Sequence, residues 1–303
     1  MIKSSYTKND IQSFINDKLN SNIELFPVVE GMESQVYSYT LNSKDYIVRI
    51  NPNLEGFRKD EYAYKYFNND IIPIPKVVEY GKFNDTHYYC ISEKATGITF
   101  EDSNEEVVDK LLPDITKIMV AINDIDISNT SGYGIFDSQT GNAPFNSWKD
   151  YLLDILNSYK YDWNKIKNMD YVDSNLIDEM IKKFNNLISY CDNVRKLRHG
   201  DFGSNNMLVD NDKFTAVIDW DCSGYGDPLY EVSSACFWST WLMCMDKSYK
   251  YYEKIFGNEK NYREKVLCYA LHIGLEELYE NAIDEDLESL EWIQNRCKEL
   301  LKK

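Results

Sequence analysis

Between Leu197 and Trp220 the chain reads LRHGDFGSNNMLVDNDKFTAVIDW, and few folds use that order of polar and apolar residues. His199, Asp201 and Asn206 follow the spacing His-x-Asp-x-x-x-x-Asn. Met207 to Val209 is β-like, Asn211 and Asp212 make a turn, and the second β-like run, Phe214 to Ile218, ends on Asp219 and Trp220. Phosphoryl transfer asks for such a set: an Asp to accept the proton of the attacking hydroxyl, and an Asn and a second Asp to grip the metal that bridges the phosphates. Any one of these acids alone could be a turn former or a helix cap, so the joint spacing carries the assignment. Asp201 is the expected base, Asn206 and Asp219 are the expected metal ligands, and His199 is expected to orient the loop backbone, because the loop already has its base.

The runs HGDFGSNNMLVD and AVIDW resemble the aminoglycoside phosphotransferase and choline kinase family, which has a protein-kinase-like fold. Further pieces of the resemblance are EGMESQVYSY, YIVRIN, IPIPKV, TSGYGIF, FWSTWLMCM and IGLEELY, spread over both halves of the chain. The resemblance implies an α+β, two-lobed enzyme. Its small N-lobe, residues 1–95, would bind nucleotide on a five-stranded antiparallel sheet, and its larger, mostly helical C-lobe, residues 96–303, would carry the catalytic loop and the acceptor site. It also implies ATP and Mg2+ as cofactors and a cationic aminocyclitol antibiotic such as hygromycin B as the alcohol acceptor. Choline, homoserine or a macrolide are alternative acceptors. A regulator that binds nucleotide without catalysis is the reading from another class, and the joint presence of Asp201, Asn206 and Asp219 speaks against it.

The preceding segments fit a nucleotide-binding half. Thr7 to Leu19 has helical apolar spacing, with Thr7 as N-cap and Asp10 in the capping-box position. Leu25 to Val29, Gln35 to Leu41 and Tyr46 to Ile50 read as strands broken at Gly31 and at Asn42, Ser43. The loop EGMESQ has one glycine, so backbone amides near Glu33 and Ser34, with the Ser34 hydroxyl, would contact the phosphates. Arg49 on the third strand stands where most kinases carry a lysine, and a guanidinium forks well onto phosphate oxygens. Phe57 to Phe67 reads as a helix from which Glu61 is expected to pair with that cation, with Asp60 as the neighbour should the register differ by one. Lys76 to Tyr80 and Tyr88 to Ser92 complete the sheet. The connector EKATG would offer backbone atoms of Glu93 and Ala95 to the adenine edge.

From about Asn104 the pattern turns helical, over Val107 to Ile125, Trp148 to Leu156, Leu176 to Tyr190, Leu229 to Met245, Tyr262 to Ala282 and Glu285 to Leu301, with Asp227 capping the fourth. Ile127 to Ser147 and Asp162 to Asp173 read as surface loops. The resemblance places Asn205, Trp238 and Trp241 at the acceptor, and among the many acids near the end of the chain it favours Glu276 and Glu277 as contacts to a polycation.

The formal charge is −17, from 50 acidic against 33 basic residues, which disfavours nucleic acid and anionic membrane as partners and suits a cationic ligand. Seven cysteines without a Cys-x-x-Cys pair suggest neither a disulfide framework nor a zinc site. No secretion signal or membrane-length apolar run is evident, so a cytoplasmic monomer is expected.

Overall fold

The computed structural model describes residues 6–28 and 34–303. The chain divides into two compact units, one of Met1–Ile98 with Leu208–Asp221 and one of Thr99–Met207 with Cys222–Lys303.

The first unit is built on five antiparallel strands, β1 (Phe26–Pro27), β2 (Gln35–Leu41), β3 (Lys44–Asn51), β4 (Val77–Lys82) and β5 (Tyr88–Glu93), in the order β1-β2-β3-β5-β4. Asn42 and Ser43 join β2 to β3 with φ of 51° and 60°, the double left-handed turn whose twist matches its strands. Side chains alternate along β3. Val48 and Ile50 therefore enter a core with Ile11 and Ile15 of helix α1 (Lys8–Leu19), while Arg49 emerges on the opposite face beside Cys90. Helix α2 (Leu54–Tyr66) covers that face, with Phe57 against Val77 and Cys90. Both helices start on sequence-encoded caps: the Thr7 hydroxyl accepts from the Asp10 N–H while the Asp10 carboxylate accepts from the Thr7 N–H, and Asn53 Oδ1 accepts from the Glu55 and Gly56 N–H groups.

The strands Met207–Asp210 and Lys213–Val217 form the hairpin read from the sequence, turning at Asn211 and Asp212 with φ of 49° and 56°. Its place differs from the contiguous 96–303 expectation, because most of the hairpin belongs to the first unit. The Val217 N–H donates to the Pro73 carbonyl at 2.7 Å, Thr215 Oγ1 donates to the Thr96 carbonyl at 2.6 Å, and Trp220 packs on Phe67. These long-range bonds leave no local mark in the sequence.

The second unit holds helices α3 (Glu105–Asn123), α4 (Trp148–Asn157), α5 (Trp163–Lys167), α6 (Ser174–Leu187), α7 (Leu229–Trp238), α8 (Met243–Phe256), α9 (Tyr262–Asp284) and α10 (Leu287–Leu301). Helix α9 is buried along most of its length and packs on α6, α7 and α10. Helix α3 runs through Pro113 without ending. The single helix expected over Leu229 to Met245 is two. Arg296 of α10 donates to the Phe237 carbonyl at 2.9 Å and the Cys236 carbonyl at 2.5 Å, which satisfies the last acceptors of α7 and ends it. The Asp162 to Asp173 loop contains α5, started by an Asp162 side-chain cap. All seven cysteines are free thiols, and no helix among the described residues is long and apolar enough to cross a membrane.

Candidate active site

In the first unit the site begins at Arg49, whose guanidinium is ion-paired with Asp60. This corrects the expectation for Glu61. Consecutive helix residues point about 100° apart, so only one of the two acids can face β3. Asp60 shares the face of Phe57, while Glu61 turns outward and accepts from the Tyr80 hydroxyl at 3.1 Å. Burial works against the Arg49 charge, but Asp60, Cys90 and Asp219 outweigh it and hold the pKa above its ordinary value. The second Asp60 oxygen accepts the Trp220 N–H at 3.1 Å. One carboxylate thus joins the Arg49 guanidinium to the segment that carries Asp219, which lies past the hairpin with a left-handed φ of 63°.

Ser34 Oγ accepts from Asn51 Nδ2 at 3.0 Å, fixing the start of β2; Gly31 and Glu33 lie outside the described residues. At the connector, the Glu93 N–H donates to Lys76 and the Lys94 N–H to Asp45. Glu93 can therefore offer only its carbonyl to a base, and the Ala95 N–H is the first donor past the strand.

In the second unit the catalytic loop leaves the short strand Lys196–Arg198. Gly200 has φ of 92°, and a Cβ there would lie 1.9 Å from the Cys222 carbonyl oxygen, so glycine is required. Its N–H donates at 2.8 Å to Glu231, a buried acid on the otherwise apolar face of α7. His199 is buried, and its Nδ1 accepts from the Asp201 N–H at 3.3 Å, an orienting role. Arg198, also buried, lies over the Trp148 and Tyr230 rings at 4.8 and 4.5 Å, where the ring faces stabilise its charge. Asn206 Nδ2 donates to Asp201 Oδ2 at 2.7 Å and to the Asp201 carbonyl at 3.0 Å. Asn205 Nδ2 in turn reaches Asn206 Oδ1 at 3.4 Å. Burial raises the Asp201 pKa and the Asn206 bond opposes the rise, which leaves a carboxylate more basic than a solvated one.

Helix α9 sets its acids in two environments. Glu276 accepts from the Tyr161 hydroxyl at 3.0 Å. Burial, then Glu280, Glu276 and Asp201, push the Glu277 carboxyl up to about 8 against a bond from Asn281. Trp238 stacks on Trp292 with centroids 5.2 Å apart, and Trp241, 52% exposed, meets the Trp292 edge at 4.9 Å.

The Glu277 shift has a stability consequence. With a folded pKa near 8 against an ordinary 4.5, the folded chain holds this proton more tightly than the unfolded one. The contribution is complete below pH 4.5 and is lost as pH rises through 8. Glu277→Gln cannot lose it, so its Tm relative to wild type is expected to climb between pH 5 and pH 9 in scanning calorimetry; a Tm difference independent of pH would refute the assignment.

The structure selects Asp60, the alternative partner read from the sequence, while sequence reasoning missed Glu231 as the loop anchor and Arg198 at the start of the loop. An acid in the apolar run LYEVSSACF was the one visible signal for Glu231.

Residues 24–256 match the model of the phosphotransferase enzyme family. The chain belongs to that family. Over 302 residues this phosphotransferase is 34% identical to the Hygromycin-B 4-O-kinase of Escherichia coli, covering all of this chain and 87% of that protein. Its structure is similar to the crystal structure of aminoglycoside phosphotransferase APH(4)-Ia, at 33% identity and a TM-score of 0.91 over 98% of this chain and 99% of that one. A thermostable mutant of APH(4)-Ia in ternary complex with AMP-PNP and hygromycin B matches with a TM-score of 0.90 at 34% identity, over 97% and 98% of the two chains. An aminoglycoside 2'-phosphotransferase at 15% identity and a TM-score of 0.71 shares the kinase-like fold.

Proposed function

We propose that this phosphotransferase moves the γ-phosphoryl of ATP to a hydroxyl of an aminocyclitol antibiotic, with hygromycin B as the acceptor. The observation that carries the reading is the Asp201 carboxylate, raised in pKa and fixed by Asn206, in a chain similar along its whole length to a Hygromycin-B 4-O-kinase.

Asp201 orients the acceptor hydroxyl and takes its proton as the oxygen attacks the γ-phosphorus. The bond from that phosphorus to the bridging oxygen breaks, and ADP leaves with the electron pair. Arg49, held by Asp60, and the Ser34 end of the phosphate loop bind the triphosphate; Glu93 and Ala95 present backbone atoms to adenine. Most of the catalysis is positioning and electrostatics.

The donors suit Mg2+. No group of three or more His, Cys, Asp and Glu poised for a metal occurs among the described residues, and Mg2+ needs none, because it binds through one or two protein oxygens plus phosphates and water. Asp219 and Asn206 supply such oxygens and would hold it. When bound, the ion offsets negative charge on the transferring group.

Glu276, Glu277, Asn205, Trp238 and Trp241 are the acceptor-binding residues in this reading. Glu276 draws in and orients a polycation, the Glu277 carboxyl, pushed up to about 8, can donate a hydrogen bond to it, and the half-exposed Trp241 offers a ring for a sugar face. The test is mass spectrometry of hygromycin B after incubation with the protein and Mg-ATP, with one added phosphoryl group expected. Glu276→Gln is expected to raise the antibiotic KM about tenfold, equivalent to about 1.4 kcal/mol, with kcat little changed. An unmodified antibiotic ends the acceptor reading, and a panel with choline, homoserine and macrolides, read by ADP release, finds the replacement.

A further inference from the structure

Helix α2 reaches past Asp60 to the segment Asp219, Trp220, Asp221, all within the first unit. Asp60 takes the Trp220 N–H at 3.1 Å, Asn53 Nδ2 donates to Asp221 Oδ2 at 2.8 Å, and Lys59 Nζ donates to the Asp221 backbone carbonyl. The helix lies so near that a Cβ on Gly56 would stand 3.3 Å from Asp221 Cγ.

Two features of this clamp need an explanation. Asp219 keeps a left-handed backbone, φ 63°, outside any hairpin turn; the conformation is uncommon for a non-glycine residue, although Asp tolerates it better than most. Lys59 is 0% exposed, and a buried ammonium is costly unless its surroundings offset the charge. The charges account for the second: Arg49 pairs with Asp60 and feels Asp219, and Lys59 reaches the Asp221 carbonyl, so the two cations share a neighbourhood with three acidic residues. The direction of the Lys59 bond accounts for the first. Its donor grips the carbonyl two residues beyond Asp219, so unwinding the turn would break a bond made by a fully buried ammonium.

We propose that Lys59, assisted by Asn53, is a positioning residue for the metal-binding carboxylate: it holds the chain after Asp219 and thereby fixes that residue's left-handed turn. The inference rests on the reading of Asp219 as a metal ligand. Lys59 acts on that carboxylate by way of the Asp221 backbone carbonyl.

The test reads metal binding without turnover. Mn2+ is titrated by electron paramagnetic resonance into full-length protein with AMP-PNP and no acceptor, and AMP-PNP binding is measured separately without metal. Lys59→Met is expected to weaken Mn2+ binding by about 10- to 100-fold, as loss of a supporting partner does elsewhere, while metal-free AMP-PNP binding keeps its wild-type value. Lys59→Arg, which keeps charge and donor, is expected to recover most of the loss. Asn53→Ser keeps a good helix cap but loses the bond to Asp221, and is expected to shift Mn2+ affinity in the same direction by less; it decides the question should Lys59→Met not fold. Unchanged Mn2+ affinity in the folded variants overturns the proposal, as does an equal loss of metal-free nucleotide binding. A wild-type protein that binds Mn2+ with AMP-PNP but leaves hygromycin B unmodified overturns the acceptor reading alone. One that binds no Mn2+ overturns the reading of Asp219 as a metal ligand, and the proposal with it.

Discussion

Asp201→Ala is expected to lower kcat by roughly a thousandfold or more, in line with the 10²- to 10⁴-fold that a positioned general base supplies. The size follows from how the carboxylate is held. Its backbone N–H is tied to His199, one side-chain oxygen is tied to Asn206, and the preceding Gly200 N–H is tied to Glu231. Little is left to rearrange a substitute into its place. Asp201→Asn keeps the shape but cannot accept a proton, so its kcat is expected to fall as far. Asp201→Asn removes a buried charge while keeping the side-chain volume, so its Tm is not expected to fall. Steady-state kinetics beside calorimetry make the comparison, and a kcat within tenfold of wild type in a folded Asp201→Ala protein would remove Asp201 as the base.

Asp60 and Glu61, adjacent in sequence, are expected to differ by several kcal/mol when substituted. Asp60→Ala leaves the Arg49 guanidinium without its carboxylate and the Trp220 N–H without its acceptor. Breaking a buried pair from one side costs about 3–5 kcal/mol, and both partners here are largely shielded, with side chains 21% and 11% exposed. Glu61→Gln keeps an acceptor for the Tyr80 hydroxyl and loses only a charge near the surface, and it is expected to stay within about 0.5 kcal/mol of wild type. Urea unfolding measures the difference. The ATP KM should follow it, rising in Asp60→Ala, where Arg49 loses its orientation, and not in Glu61→Gln. Equal effects in the two proteins would restore Glu61 as the partner.

That pair also shows where reading from sequence stops. The turns at Asn42-Ser43 and Asn211-Asp212, the cap at Thr7, and the alternation along β3 are local, and local patterns carry them completely. The loop from His199 to Asn206 is legible for the same reason, since its members lie within eight residues of one another. Helix phase is not fixed to one residue by a stripe of Phe57, Tyr64 and Phe67, and one residue separates Asp60 from Glu61. The contacts that escape altogether end on backbone atoms: Arg296 on the carbonyls of α7, Lys59 on Asp221, Glu231 on Gly200. A carbonyl or an N–H looks the same at every position of a sequence, so such partners appear only in three dimensions.

The discontinuous make-up of the first unit bears on how this enzyme can be recombined with its relatives. A chimera made by one crossover at the connector would inherit Pro73, Thr96 and Asp60 from one parent and Val217, Thr215 and Trp220 from the other. Co-inheritance of all six needs two further junctions, at the residue pairs 207/208 and 221/222, where the chain passes from one unit to the other. Family shuffling that respects those seams exchanges one whole compact unit, whereas a simple half-and-half graft divides it.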